Sequence, residues 1–317
     1  MRLKPEGTER EAVPVESGQN RPSGVIILYW LADPADHEVR LSFLDSTGEE
    51  IRSLSAAPGD EDVKPEPEPA RPKDPKPSRR QGLNRFVWDG RHANPTRIEI
   101  DPPKEEGGPF GQPIGPLVPP GAYRVRLQLG DEIQEAAFEI AKDPRNGASQ
   151  SDLEAQYAHA LRVWRRLSDL NMGVNTIREL KRQLERWAPK DGAVEEEGEV
   201  GPAASALREA LTAVEGELVQ VDPKGDPRLS TPDQLDGKLK VLLLQASIQS
   251  RPTEASLAVA DELSRQLDGE LARLDALLEG QVAEFNQLVR QTEAPALAPR
   301  LAEAPASAGV AAPATRM

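Results

Sequence analysis

Gly82-Leu83-Asn84-Arg85-Phe86-Val87-Trp88-Asp89-Gly90-Arg91 is the stretch whose reading decides the fold of this chain. Asn84, Phe86 and Trp88 alternate with Arg85, Val87 and Asp89, the period of two that sends successive side chains to opposite faces of a β-strand. Two large rings on one face suit a buried core. Asp89-Gly90 closes the run with turn chemistry, because an Asp carboxylate accepts from the backbone two residues on. Residues 57–81, just before it, hold seven prolines (58, 65, 67, 69, 72, 75 and 77). Proline at that density removes the N–H donors of a ladder, so the segment reads as an extended or disordered loop. It is acidic at first and basic at the end (Lys73, Lys76, Arg79, Arg80). Docking of a partner on its polyproline stretches is the functional reading, and an insertion in a surface loop the plainer one.

Upstream, Val25–Leu31 is a continuous apolar run, expected to be a strand buried on both faces. Residues 38–45 alternate, with Val39, Leu41 and Phe43 on one side, as in a half-buried strand. Asp45-Ser46-Thr47-Gly48 is a turn, and residues 50–54 are the returning strand of a hairpin. Downstream, residues 102–120 form a second loop rich in Pro and Gly. Pro119-Pro120-Gly121-Ala122-Tyr123 then opens a strand in which Tyr123, Val125, Leu127 and Leu129 alternate with Arg124, Arg126 and Gln128. Gly130-Asp131 turns it, and residues 133–140 pair back with Phe138 and Ile140. Six or seven short strands with turns between them predict an antiparallel β-sandwich over residues 20–142. Residues 1–19 are a flexible lead-in, and Phe86, Trp88, Tyr123 and Phe138 are the expected core.

At Asp143-Pro144-Arg145-Asn146 the period changes from two to about 3.6. Ser151-Asp152-Leu153-Glu154 reads as a capping box. Leu153, Tyr157, Ala160, Trp164, Leu167, Leu170, Val174, Ile177, Leu180, Leu184 and Trp187 then mark one long amphipathic helix ending before Pro189. After an acidic loop over residues 191–200, Pro202 starts a second helix with Leu207, Leu211, Val214 and Leu218 inward. Thr231-Pro232 caps a third, with Leu235, Leu239, Leu242 and Ala246. Beyond Pro252-Thr253 a fourth carries Leu257, Ala260, Leu263, Leu267, Leu271, Leu274, Leu278, Val282, Phe285 and Leu288 as a near-continuous heptad. The prediction is an antiparallel α-helical bundle or elongated coiled-coil arm over residues 148–292, followed by a disordered Ala/Pro tail over residues 293–317. An intramolecular core is the first reading of the heptad stripe. Pairing with a second chain is the alternative, so monomer and homodimer both stay open.

Composition narrows the function. Of 317 residues, 38% are hydrophobic and 4% aromatic, thin for a single globule and consistent with compact parts joined by unfolded ones. A net charge of −14 argues against general nucleic-acid binding, which needs a basic face to neutralise phosphates. Without cysteine there is no disulfide and no thiolate metal site. The first residues lack the apolar region of a signal peptide, and no run approaches the roughly 20 apolar residues of a spanning helix. The expectation is therefore a soluble, cytoplasmic product.

Catalytic vocabulary is sparse. His37, His92 and His159 stand apart in sequence and read as surface or strand-end histidines, His159 with Glu154 and Arg162 as surface neighbours. Glu66, Glu68 and Glu195-Glu196-Glu197 lie in loops and read as solvated charge rather than as the carboxylate pair of a glycosidase. Asp89 reads as an Asx-type turn. Gly107, Gly108 and Gly111 lack the Lys-Ser/Thr and helix start of a phosphate loop. No catalytic, cofactor-binding or metal-binding residue is assigned, and no cofactor is implied.

Four blocks together resemble the Ig-like module of flagellar hook-capping proteins: residues 24–31, residues 38–45, residues 82–91 with Trp88-Asp89-Gly90, and Pro119-Pro120-Gly121-Ala122-Tyr123. With Lys142-Asp143-Pro144-Arg145, Ala148-Ser149-Gln150-Ser151-Asp152-Leu153 and the helical region, residues 18–292 resemble the C-terminal part of bacterial sortilin-like, BNR-repeat proteins. These are large secreted propeller proteins often labelled glycosyl-hydrolase-like. In that family the β-propeller precedes this module and carries any glycan site. The present chain shows no Ser-x-Asp-x-Gly-x-Thr-Trp repeat, so no catalytic residue carries over. What the resemblance implies is a non-enzymatic accessory module that supports or packs against such a propeller, secreted or periplasmic if the true start lies upstream. The other readings are the C-terminal part of a glycoside hydrolase and a dimeric coiled-coil scaffold.

Overall fold

The computed structural model describes residues 23–33, 36–59, 75–100, 113–187, 199–220 and 234–291, together with the backbone of residues 2–3 and 12–13. Two-residue strands β1 (Arg2–Leu3) and β2 (Ala12–Val13) pair with each other. Six longer strands follow: β3 (Val25–Leu31), β4 (Val39–Leu44), β5 (Glu50–Ala56), β6 (Gly82–Trp88), β7 (Gly121–Leu129) and β8 (Glu132–Ile140). All pairings are antiparallel. β3 and β6 make a two-stranded sheet, and the other four a sheet ordered β5-β4-β7-β8.

The two sheets share one aromatic core. The Trp88 ring is stacked on Phe43 at 4.2 Å, while Tyr123 and Phe138 meet it edge-on at 6.4 and 6.2 Å. Buried Ile27, Tyr29 and Leu31 come from β3, and Leu41, Ile51 and Leu54 from β4 and β5. Asn84 holds a core position of β6 with its NH2 group satisfied locally, donating to the carbonyls of Arg80 at 2.8 Å and Gly82 at 3.0 Å, while its Oδ1 is buried without a hydrogen bond. Asp89 makes the expected Asx-type turn, its carboxylate accepting from the Arg91 amide at 3.1 Å.

β3 departs from expectation. A continuous apolar run belongs to a strand with a layer on each side, but only Ile27, Tyr29 and Leu31 are covered, while Ile26, Leu28 and Trp30 stand exposed. The reason is the layer count: β3 lies in a two-stranded sheet with the aromatic core on one side only. The end of the proline-rich segment is also more closely packed than expected. Pro77 is buried, and the Ser78 carbonyl accepts a 2.5 Å hydrogen bond from the Tyr29 hydroxyl. Residues 60–74 and 101–112 lie outside the described residues.

The helical half comprises α1 (Gln150–Leu184), α2 (Val200–Leu218), α3 (Leu235–Ala246), α4 (Glu254–Glu279) and α5 (Gln281–Gln291). Their apolar faces meet in a second core, with Leu167, Leu170, Val174, Ile177, Leu180 and Leu184 of α1 fully covered. Three boundaries are corrected. The capping box of α1 is Ser149 with Asp152 rather than Ser151 with Glu154, because Ser149 takes the extended conformation a cap requires (φ −72, ψ 165). α2 begins at Val200, two residues before Pro202, which sits in the first turn where a missing N–H costs nothing. The fourth helix is not continuous: Gly280 (φ −94, ψ −90) splits it into α4 and α5. After the break the buried positions become Val282, Phe285 and Val289, and Phe285 meets Trp187 edge-on at 5.3 Å. Thr231-Pro232 lies outside the described residues, where α3 is preceded by Gln234.

Besides the direct link from β8 into α1, an extended segment joins the two halves. After β6, residues 92–100 run as an extended strap along α1. Six side chains of α1 hold it: Tyr157, Trp164, Ser168, Asn171, Asn175 and Arg178, spaced 7, 4, 3, 4 and 3 apart and hence on one helix face. The Trp164 indole donates to the Ala93 carbonyl at 2.9 Å, and Ser168 Oγ accepts from the Thr96 amide at 3.3 Å. Asn171 donates to the Thr96 carbonyl at 2.6 Å. Asn175 donates to the Arg97 carbonyl at 2.7 Å and accepts from the Glu99 amide at 2.8 Å. Arg178 donates to the Ile100 carbonyl at 2.8 Å. Ile98 inserts into the helical core. The strap has no regular ladder of its own, so α1 satisfies its backbone polar groups instead. A second extended piece backs it at Gly115, where a Cβ would lie 2.1 Å from the His92 carbonyl oxygen, so only glycine fits.

Candidate interaction surface

The open face of the β3–β6 sheet is the outstanding surface of the described residues. Register places Ile26 opposite Val87, Leu28 opposite Arg85 and Trp30 opposite Leu83. Period-two geometry therefore puts Ile26, Leu28 and Trp30 beside Leu83, Arg85 and Val87 on the side away from the core. Leu28 is 60% exposed, Trp30 69% and Leu83 67%. Isolated exposed apolar residues are ordinary. A contiguous group is a candidate contact surface. Arg85 is the one charge on this face, and it makes no hydrogen bond or ion pair with any described residue.

The structure moves two of the three histidines away from where the sequence put them. His37 is exposed. His92 is buried at the start of the strap, its Nε2 2.7 Å from the Tyr157 hydroxyl and its ring between Tyr157 and Trp164. Burial, then Arg165 and Arg52, push the His92 imidazole down to about 4, and burial raises the Tyr157 phenol to about 12. Both groups are neutral near pH 7 and satisfy each other, forming a joint between strap and helix. His159 is also buried rather than a surface residue, its Nε2 2.9 Å from Ser256 Oγ at the start of α4. Burial, then Arg162, lowers its pKa. Long-range packing across 65 and 97 positions of chain carries no local sequence signal, which is why these partners were not foreseen.

A third buried polar cluster ties α1 to α2. Glu215, 2% exposed, accepts from Arg178 Nε at 2.6 Å and from Lys181 Nζ at 2.8 Å. Asp89 lies 3.4 Å from Arg52, so its carboxylate serves both turn and ion pair. Glu66, Glu68, Glu195, Glu196, Glu197, Gly107, Gly108 and Gly111 lie outside the described residues. Among the described residues no three His, Asp or Glu side chains gather to hold a metal ion, and no helix is long and apolar enough to cross a membrane.

No family model matches this chain, no curated protein matches it, and no solved structure matches it. Its chemistry is therefore read from its own surface. The apolar run Val25–Leu31 was legible in the sequence as a strand. That one side of it is left open was not, because that depends on which layers pack against the sheet.

Proposed function

We propose that this chain is a non-enzymatic protein-interaction module, an Ig-like β-sandwich whose strap fastens it to an antiparallel helical bundle. The observation that carries this reading is the open face of β3 and β6, with Leu28, Trp30 and Leu83 each more than half exposed around Arg85. Leaving that much apolar surface in water has a free-energy cost that a partner removes at about 25 cal/mol per Å² covered. The strap supports the same reading, since it holds the sandwich to a long helical body and gives the face a fixed mount. The resemblance noted in the sequence suggests the class of partner, a sortilin-like β-propeller. Pairing through the fourth helix is less favoured, because Ala260, Leu263, Leu267 and Leu274 of α4 are already covered within the chain.

The test places a photo-crosslinking amino acid at Leu28 in the full chain, with a control at Asp275 on the exposed side of α4. Irradiation in the cells of origin should give a discrete protein adduct from Leu28 and none from Asp275. Equal or absent adducts at the two positions reject the interaction reading.

A further inference from the structure

We propose that the outer side of β6 receives an extended segment of another protein, carrying apolar residues at alternate positions and a carboxylate against Arg85. The inference rests on the interaction reading above and adds the chemistry of the partner. Among the described residues β6 is laddered to β3 along its length and to no other strand, so its second side is a row of backbone donors and acceptors outside that sheet. A strand added there would pair across from β6 residue by residue. On the open face its side chains would meet Leu83, Arg85 and Val87 in turn. The complement is apolar, acidic, apolar at every second position, a pattern set by the period of an extended chain. The row Ile26, Leu28 and Trp30 on β3 then borders the added strand's neighbours and widens the apolar seat.

Charge decides against a second copy as the occupant. Self-pairing along β6 in antiparallel register brings Arg85 near Arg85 in a weakly hydrated setting, and each chain carries −14 overall. Coverage by the chain's own helices is disfavoured too, since the stripes of α1, α2 and α4 are already turned into the helical core. A lone arginine on an open edge has one further role to weigh, that of a guard against aggregation. Guarding requires no acidic partner, and the experiment below separates the two.

The probes are two blocked, fluorescently labelled peptides, Thr-Leu-Val-Glu-Val-Leu-Thr and its twin with lysine at the centre, titrated into the full chain and followed by anisotropy. The expected result is about a fivefold preference for the glutamate peptide at low salt, from the opposite-charge cross-strand pair, shrinking as salt is added. Arg85→Glu should invert the preference while leaving the near-ultraviolet circular dichroism of the Trp88 core unchanged. Leu83→Ser should weaken both peptides alike. Equal affinity for the two peptides, or no binding by either, overturns the proposal and leaves Arg85 as a guard. Concentration-dependent dimerisation in sedimentation velocity, lost in Leu83→Ser, overturns it in favour of a second copy. An adduct at Leu28 in cells combined with no charge preference here would sink this inference and leave the interaction reading intact.

Discussion

Replacing Asn175 with alanine should release the strap from α1. Asn175 is buried, donates to the Arg97 carbonyl at 2.7 Å and accepts from the Glu99 amide at 2.8 Å. Truncation deletes both bonds and leaves the two backbone groups of the strap without their partner. A net hydrogen bond contributes about 1 kcal/mol and an orphaned buried group costs about 1–3, so about 2–4 kcal/mol is expected here. Because the strap touches α1 from outside the helical ladder, this free energy should appear first as local opening rather than global unfolding. Amide hydrogen exchange at Glu99 reads it directly: about 2–4 kcal/mol is roughly a thirtyfold to several-hundredfold faster exchange. The amide of Phe43, in the β4–β7 ladder, should not change. Asn175→Asp keeps the acceptor for Glu99 and loses the donor to Arg97, so it should fall between. If Glu99 exchanges at the wild-type rate in Asn175→Ala, within threefold, the strap is not held by this side chain and the account of the joint is wrong.

Two further perturbations follow from the buried polar groups. His92 is held down to about 4 in the folded chain against an ordinary value of about 6.5, so between those values the unfolded imidazole binds a proton that the folded one does not. Its contribution is fully present above pH 6.5 and is lost as the pH falls toward 4, by about 2 kcal/mol at pH 4.5. Urea midpoints at pH 7 and 4.5 should therefore fall further in wild type than in His92→Phe, and parallel pH profiles for the two proteins would contradict the burial of a neutral imidazole. For Glu215→Leu, the loss of the buried carboxylate shared by Arg178 and Lys181 removes the ion pairs of two partly buried cations, at a cost of about 3–5 kcal/mol. An unfolding free energy from urea titration within about 0.5 kcal/mol of wild type would show that water already compensates them.

Much of this architecture was open to a reader of the residues, for a local reason. Period two at Asn84, Phe86 and Trp88, and at Tyr123, Val125 and Leu127, follows from the pleat of a single strand and needs no partner to be recognised. Asp89-Gly90 and Asp45–Gly48 specify turns through side chains bonding their own backbone. The Leu stripes likewise expose a helical period within one segment. Where the reading erred, the deciding term came from outside the segment. Val25–Leu31 looks like a strand covered on both sides, yet coverage depends on a layer elsewhere in the chain. The heptad after Thr253 looks continuous across Gly280, yet the helix breaks there, and past the break Phe285 meets Trp187.

The candidate surface divides along the same line. That Ile26, Leu28 and Trp30 share one face, and that Arg85 lies between Leu83 and Val87, follows from the order of residues alone, because a strand's side-chain period is a covalent property. That this face is left open, that β6 keeps one side out of the ladder, and that residues 92–100 hand their backbone groups to a polar row on α1 were settled only in three dimensions. Burial and hydrogen-bond satisfaction are properties of pairs distant in sequence, 71 positions apart for Ala93 and Trp164 and 76 for Glu99 and Asn175. Local propensity has no access to such pairs, so only the assembled chain chooses them.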